Sequence, residues 1–214
     1  MSLEAIQQKA RADHLSVLGA FHTDIEDEAL GIGTLVLLGP HEPGFWAHVT
    51  AQLEFKDNAP DPLDRWSART ISALAHHLGG TPYFPFGTPV RPFITWALRS
   101  GRAWVSPAQL LVHDTAGLFV SYRGAILVPQ ELDLPLPPAK PCDTCAVKPC
   151  LNACPTSALT AQGYDLPACH SYLDTAPGQS CMSAGCAVRR ACPLAQTYPR
   201  VDQQSAYHMT QFHK

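Results

Sequence analysis

Residues 142–155 read CDTCAVKPCLNACP, which is Cys142-x2-Cys145-x4-Cys150-x3-Cys154-Pro155. Thiolates this close in sequence can reach neighbouring irons of one cluster from a single loop. A fourth cysteine followed by proline points away as the chain turns. Four more follow as Cys169, Cys181, Cys186 and Cys192-Pro193, so all eight lie between Cys142 and Cys192 and residues 1–141 hold none. A disulfide scaffold would suit a small secreted chain. The opening MSLEAIQQKARADH, however, lacks the apolar centre of a signal peptide, and a large cysteine-free region precedes the cluster. Clustered cysteines in a reducing cytosol read as metal ligands.

The first motif is close to the C-x2-C-x2-C-x3-C-P run of bacterial ferredoxins. Its middle gap is two residues longer, with Lys148-Pro149 the expected insertion, and a surface loop absorbs such length at small entropic cost. The second group is looser, but its Cys-Pro ending repeats that of the first, which points to two [4Fe–4S] clusters. Zinc also accepts four thiolates. Its sites usually come as paired CxxC knuckles, and only Cys142/Cys145 forms such a pair. Lys140, Lys148, Arg189 and Arg190 lie beside the ligands, either offsetting cluster charge or forming ordinary solvated surface.

Outward from the cysteines the chain reads as a mixed α/β domain. Residues 3–13 look helical and 15–21 extended, and TLVLL at 34–38 reads as a buried strand bounded by glycines. Leu63, Trp66, Ile71, Leu74 and Leu78 share a helical face ending at Gly79-Gly80. Residues 109–113 and 118–128 read as two strands of a hairpin around Asp114–Gly117. Pro129, Pro135, Pro137, Pro138 and Pro141 mark an extended linker. A formal charge of −3 and a pI near 6.3 argue against nucleic acid. No apolar run suits a membrane span, and the expected location is the cytoplasm. No phosphate-binding glycine loop, nucleophile elbow or HExxH occurs.

With these motifs the chain resembles the epoxyqueuosine reductases and the related corrinoid-dependent reductive dehalogenases. Cys169-His170-Ser171-Tyr172-Leu173 fits the family's CxSYL segment. Gly101-Arg102-Ala103-Trp104, Leu110–Val112, Gly117 and Gly124–Leu127 are similar to its G-x-x-W … LLI … G … GEIL run. The resemblance implies that Cys142, Cys145, Cys150 and Cys192 hold one cluster, and Cys154, Cys169, Cys181 and Cys186 the other. It also implies a cobalamin beside the second cluster, with Ser171 near it. The last motif departs from the family's C-x2-C-x3-C-P. The family's acidic proton donor is absent from Val90–Ala97, so the family's substrate chemistry does not carry over. The chain is also too short for the family's C-terminal repeats.

The expectation is therefore an α+β protein. A nitroreductase-like, cobalamin-binding-type domain spans 1–130, a linker 131–141, a two-cluster ferredoxin-like module 142–196 and a polar tail 197–214. Trp104, His113, His170 and Ser171 are the candidate cofactor-binding residues, and the catalytic residues are unknown. His76-His77 reads as helix capping, and the aromatics at 83–96 as packed core before a cofactor slot. Function reads as redox enzyme or corrinoid reductase served by a redox partner protein. The alternative is a pure electron carrier whose N-terminal domain only docks a partner.

Overall fold

The computed structural model describes residues 1–27 and 30–214. The chain divides into two compact units, each assembled from two stretches: Met1–Arg102 with Ser121–Pro138, and Ala103–Val120 with Ala139–Lys214. The first unit opens with α1 (Leu3–Ala12), β1 (Leu15–His22) and β2 (Thr34–Pro40). It continues through α2 (Phe45–Thr50), α3 (Pro62–Leu78), β3 (Thr81–Tyr83) and α4 (Phe93–Arg99). The chain then lends β4 (Ala103–Val105) and β5 (Leu111–His113) to the second unit before β6 (Gly124–Val128) rejoins the first.

The first unit is built on one antiparallel sheet in the order β1-β2-β6-β3. Central strands are covered on both faces, so they read as unbroken apolar runs rather than alternations. β2 and β6 are buried at every position, which accounts for TLVLL and GAILV. α3 buries Leu63, Trp66, Ile71, Leu74 and Leu78, the face read from the sequence, together with Ser67, Thr70 and Ala75. Gly79 takes φ 65°, and the N–H groups of Gly79 and Gly80 close the helix on the carbonyls of His76 and Ala75.

Two expectations need correction. The hairpin of 109–113 with 118–128 does not form: β5 pairs with β4, while β6 lies between β2 and β3. His113 and Gly117 close a tight turn by exchanging backbone hydrogen bonds of 3.0 Å, and Leu118 then enters a different core from Ala125–Val128. The apolar run was continuous in sequence but serves two cores, broken at Ser121–Arg123. The division at 130 shifts for the same reason, since residues 103–120 fold with the cysteines. The linker runs extended, as expected, and is anchored at Leu132. Thr34 Oγ1 donates to the Gln130 carbonyl and accepts from Leu132 N–H, and the Leu132 side chain is buried.

The second unit adds α5 (Pro141–Thr144), a hairpin of β7 (Leu159–Thr160) and β8 (Gly163–Tyr164), then α6 (Leu166–Leu173) and α7 (Gln179–Ala184). It ends with α8 (Ala187–Arg190), α9 (Pro193–Thr197) and α10 (Asp202–Phe212). The expected polar tail is therefore largely a helix. It buries Gln204, Ser205 and Met209 and lies along α7, its short apolar content hidden among polar residues in the sequence. No helix among the described residues is long and apolar enough to cross a membrane.

Candidate metal centre

All eight cysteines are free thiols in the second unit, with Cys150, Cys181 and Cys192 buried and the rest half-buried. Short helices and turns present them. Cys142 sits in the first turn of α5 and Cys145 follows its end. Lys148, one of the two extra residues, takes φ 44° and turns the chain into a 3-10 turn over Pro149–Asn152 that carries Cys150. Asp165 caps α6 by accepting the Ala168 N–H at 3.0 Å, which fixes the helix bearing Cys169. Cys181 lies in α7, and Cys186 and Cys192 occupy the N-cap positions of α8 and α9. The proline after Cys192 holds the first position of α9, where its missing N–H leaves no helical bond unmade.

The electrostatics sort the thiols. Burial pushes Cys142 up, and negative charge on Cys150, Cys192 and Cys145 pushes it further, against Lys140. Burial likewise raises Cys150, with Cys192 and Cys145 adding to it. Cys169 is raised by burial and by Cys186, Cys154 and Cys181, while the hydrogen bond from Tyr164 Oη at 3.3 Å opposes the rise. Cys154 differs. Burial raises it, but Thr156 Oγ1 at 3.6 Å and the backbone N–H groups of Leu159, Thr156 and Ala158 together bring it below the usual thiol value.

A cluster ligand binds as thiolate, and a donor set of cysteines alone suits an iron–sulfur cluster or zinc. The residues fit such a group. Among the described residues, no three His, Cys, Asp or Glu side chains converge on a single metal ion.

Of the other candidates, Trp104 lies on β4 and packs against the core that contains Cys150 and Cys192. His113 has no exposed surface, and its Nδ1 accepts from the N–H groups of Thr115 and Ala116 at 3.1 and 3.3 Å. Ser171 is exposed on α6. His170 Nδ1 lies 2.6 Å from His213 Nδ1, whose Nε2 meets Asp174 Oδ1 at 2.9 Å. Arg190 Nε donates to the Gly185 carbonyl, and Arg189 Nη1 donates to the Leu118 carbonyl at 2.6 Å. Sequence reasoning missed Tyr164, Thr156 and Phe212. Phe212 stacks at 4.7 Å on His170 and at 6.2 Å on Tyr164. The Tyr164 and Thr156 hydroxyls both lie within five residues of their cysteines, but no spacing rule marks them.

The fold is mixed α/β with antiparallel sheets, and one of its two units gathers all eight cysteines. No family model matches the sequence. The epoxyqueuosine reductase of Leadbetterella byssophila is 37% identical over 82 residues, 36% of this chain. The match spans 25% of that relative's length. A crystal structure of selenomethionine-labelled epoxyqueuosine reductase matches 95% of this chain and 68% of its own, with a TM-score of 0.56 at 14% identity, which speaks to the fold. The chain is thus related to the epoxyqueuosine reductases.

Proposed function

We propose that this chain is an electron-transfer protein with two [4Fe–4S] clusters, acting as a redox enzyme or corrinoid reductase fed by a separate redox protein. Cys142, Cys145, Cys150 and Cys192 hold one cluster, and Cys154, Cys169, Cys181 and Cys186 the other. The observation that carries this reading is the packing of the cysteines: Cys142 packs with Cys150 and Cys192, and Cys169 and Cys186 pack with Cys181. Each set joins cysteines distant in sequence, as a cluster linking separate segments requires. A zinc ion needs its ligands to converge on one point, whereas a cluster receives each thiolate at its own iron. Each cluster would supply one-electron transfer.

Anaerobic reconstitution should give about eight irons and eight sulfides per chain, as two four-iron clusters require. Stoichiometric zinc without labile sulfide would overturn the reading.

The pure electron carrier stands as a second reading, favoured by the placement of Trp104 and His113. Both fold with the cysteines, and His113 is closed to solvent. Titrating cob(II)alamin into the reconstituted protein, followed by visible and paramagnetic spectra, separates the readings. A spectral change returns the corrinoid reductase, and constant spectra leave the carrier.

A further inference from the structure

The two groups of cysteines have unequal surroundings. Tyr164 closes the β7–β8 hairpin, and its hydroxyl donates to Cys169 Sγ at 3.3 Å. Its ring faces Phe212 of α10 with an interplanar angle of 10°, which restrains the direction of that hydroxyl. Thr156 Oγ1 stands 3.6 Å from Cys154 Sγ, two residues past it in the turn after Cys154. With the cysteine as thiolate, the threonine is the donor. Arg189 adds a half-buried guanidinium whose charge acts on Cys186 and Tyr164. On the other group, the backbone N–H groups of Cys150 and Leu151 favour negative charge on Cys150, and the half-buried Lys140 favours it on Cys142.

Hydrogen bonds to cluster sulfurs and local net charge are among the factors that set a cluster's potential. A donor on a thiolate draws electron density from the iron and favours the reduced state. We propose that Tyr164 and Thr156, through Cys169 and Cys154, hold the cluster on Cys154, Cys169, Cys181 and Cys186 at the higher potential of the two. That cluster is then where an incoming electron comes to rest. In the step itself, one electron from an external one-electron donor protein is taken up and the cluster core passes from 2+ to 1+. No bond to either oxygen breaks, and the protons stay on Tyr164 and Thr156.

This inference rests on the two-cluster reading above. The test is a potentiometric titration of the whole reconstituted chain, followed by electron paramagnetic resonance, with dithionite as reductant. Cys192→Ala assigns the signals by removing a ligand of the other cluster. Tyr164→Phe and Thr156→Val should each lower the equilibrium constant for reducing their own cluster about tenfold, or ~59 mV for one electron. The second midpoint should not move, and Thr156→Ser, which keeps the hydroxyl, should behave as wild type. Should Tyr164→Phe lose its cluster, Thr156→Val and the assigned wild-type midpoints decide. Unmoved midpoints, equal shifts in both, or a lower potential for the Cys169 cluster overturn the inference. A wild-type chain that takes up no iron and sulfide defeats the two-cluster reading instead.

Discussion

Leu118→Ala tests whether the excursion at 103–120 is part of the cysteine unit. Leu118 is 1% exposed in a core with Val112, Cys150, Val188 and Cys192, and its carbonyl accepts from Arg189. The change deletes three side-chain carbons, worth about 0.8 kcal/mol each. A cavity contribution follows, because a well-filled core collapses only partly. Together these come to about 3 kcal/mol, near two decades in an opening equilibrium at ~1.4 kcal/mol per decade. Native-state hydrogen exchange of the reconstituted protein reads this element by element. Slow amides of α8 and α9 should lose about 100-fold in protection, while those of β1 and β2 keep theirs. Loss confined to β1 and β2, or α8 and α9 amides that do not change, would refute the assignment.

Cys192→Ala should cost the protein the cluster of Cys142, Cys145 and Cys150 and leave the other four irons; loss of the Cys154 cluster alone, by iron count and spectrum, would contradict the ligand sets. Gly117→Ala should have a similar but partial effect on iron retention. Gly117 holds φ 55°, and a Cβ there would lie 2.6 Å from the Ala195 nitrogen and 3.1 Å from Cys192 Sγ; full iron content would show that the turn yields freely. In the first unit, the Arg69 guanidinium hydrogen-bonded to Glu54 holds that carboxyl below the usual range despite its burial. A depressed acid stabilises the fold above its unfolded pKa, about 4.3, and loses that contribution as pH falls through the folded value. Glu54→Gln should therefore lower the urea midpoint at pH 7 and converge with wild type in acid, and a constant gap across pH would reject the pair.

The sequence revealed what periodicity and spacing encode. The face of α3, its glycine stop and the buried run of β2 are local patterns, and each matches the structure. The cysteine positions were equally plain. What stayed hidden was long-range. Nothing in 118–128 says that Leu118 and Ala125 fill different cores, because both are apolar residues of one run. α10 looked like a tail because its buried face includes Gln204 and Ser205, which a hydropathy reading counts as surface. Tyr164 could not be linked to Cys169 without knowing that β8 runs directly into the cap of α6.

The interleaving of the two units bears on how the chain is made. On the ribosome, β1, β2, β3 and α3 emerge early but lack β6, the strand that belongs between β2 and β3. That sheet can complete only after residue 128 is out. Val112 and Leu118 meet the opposite delay, since their partners Val188 and Cys192 are still to be translated. At roughly 5–20 residues per second, the wait is about ten seconds. Over that interval an apolar segment stands without its core, and the cysteines have no scaffold on which to gather iron. A nascent chain of this design depends on whatever shields residues 103–120 until the last cysteine arrives.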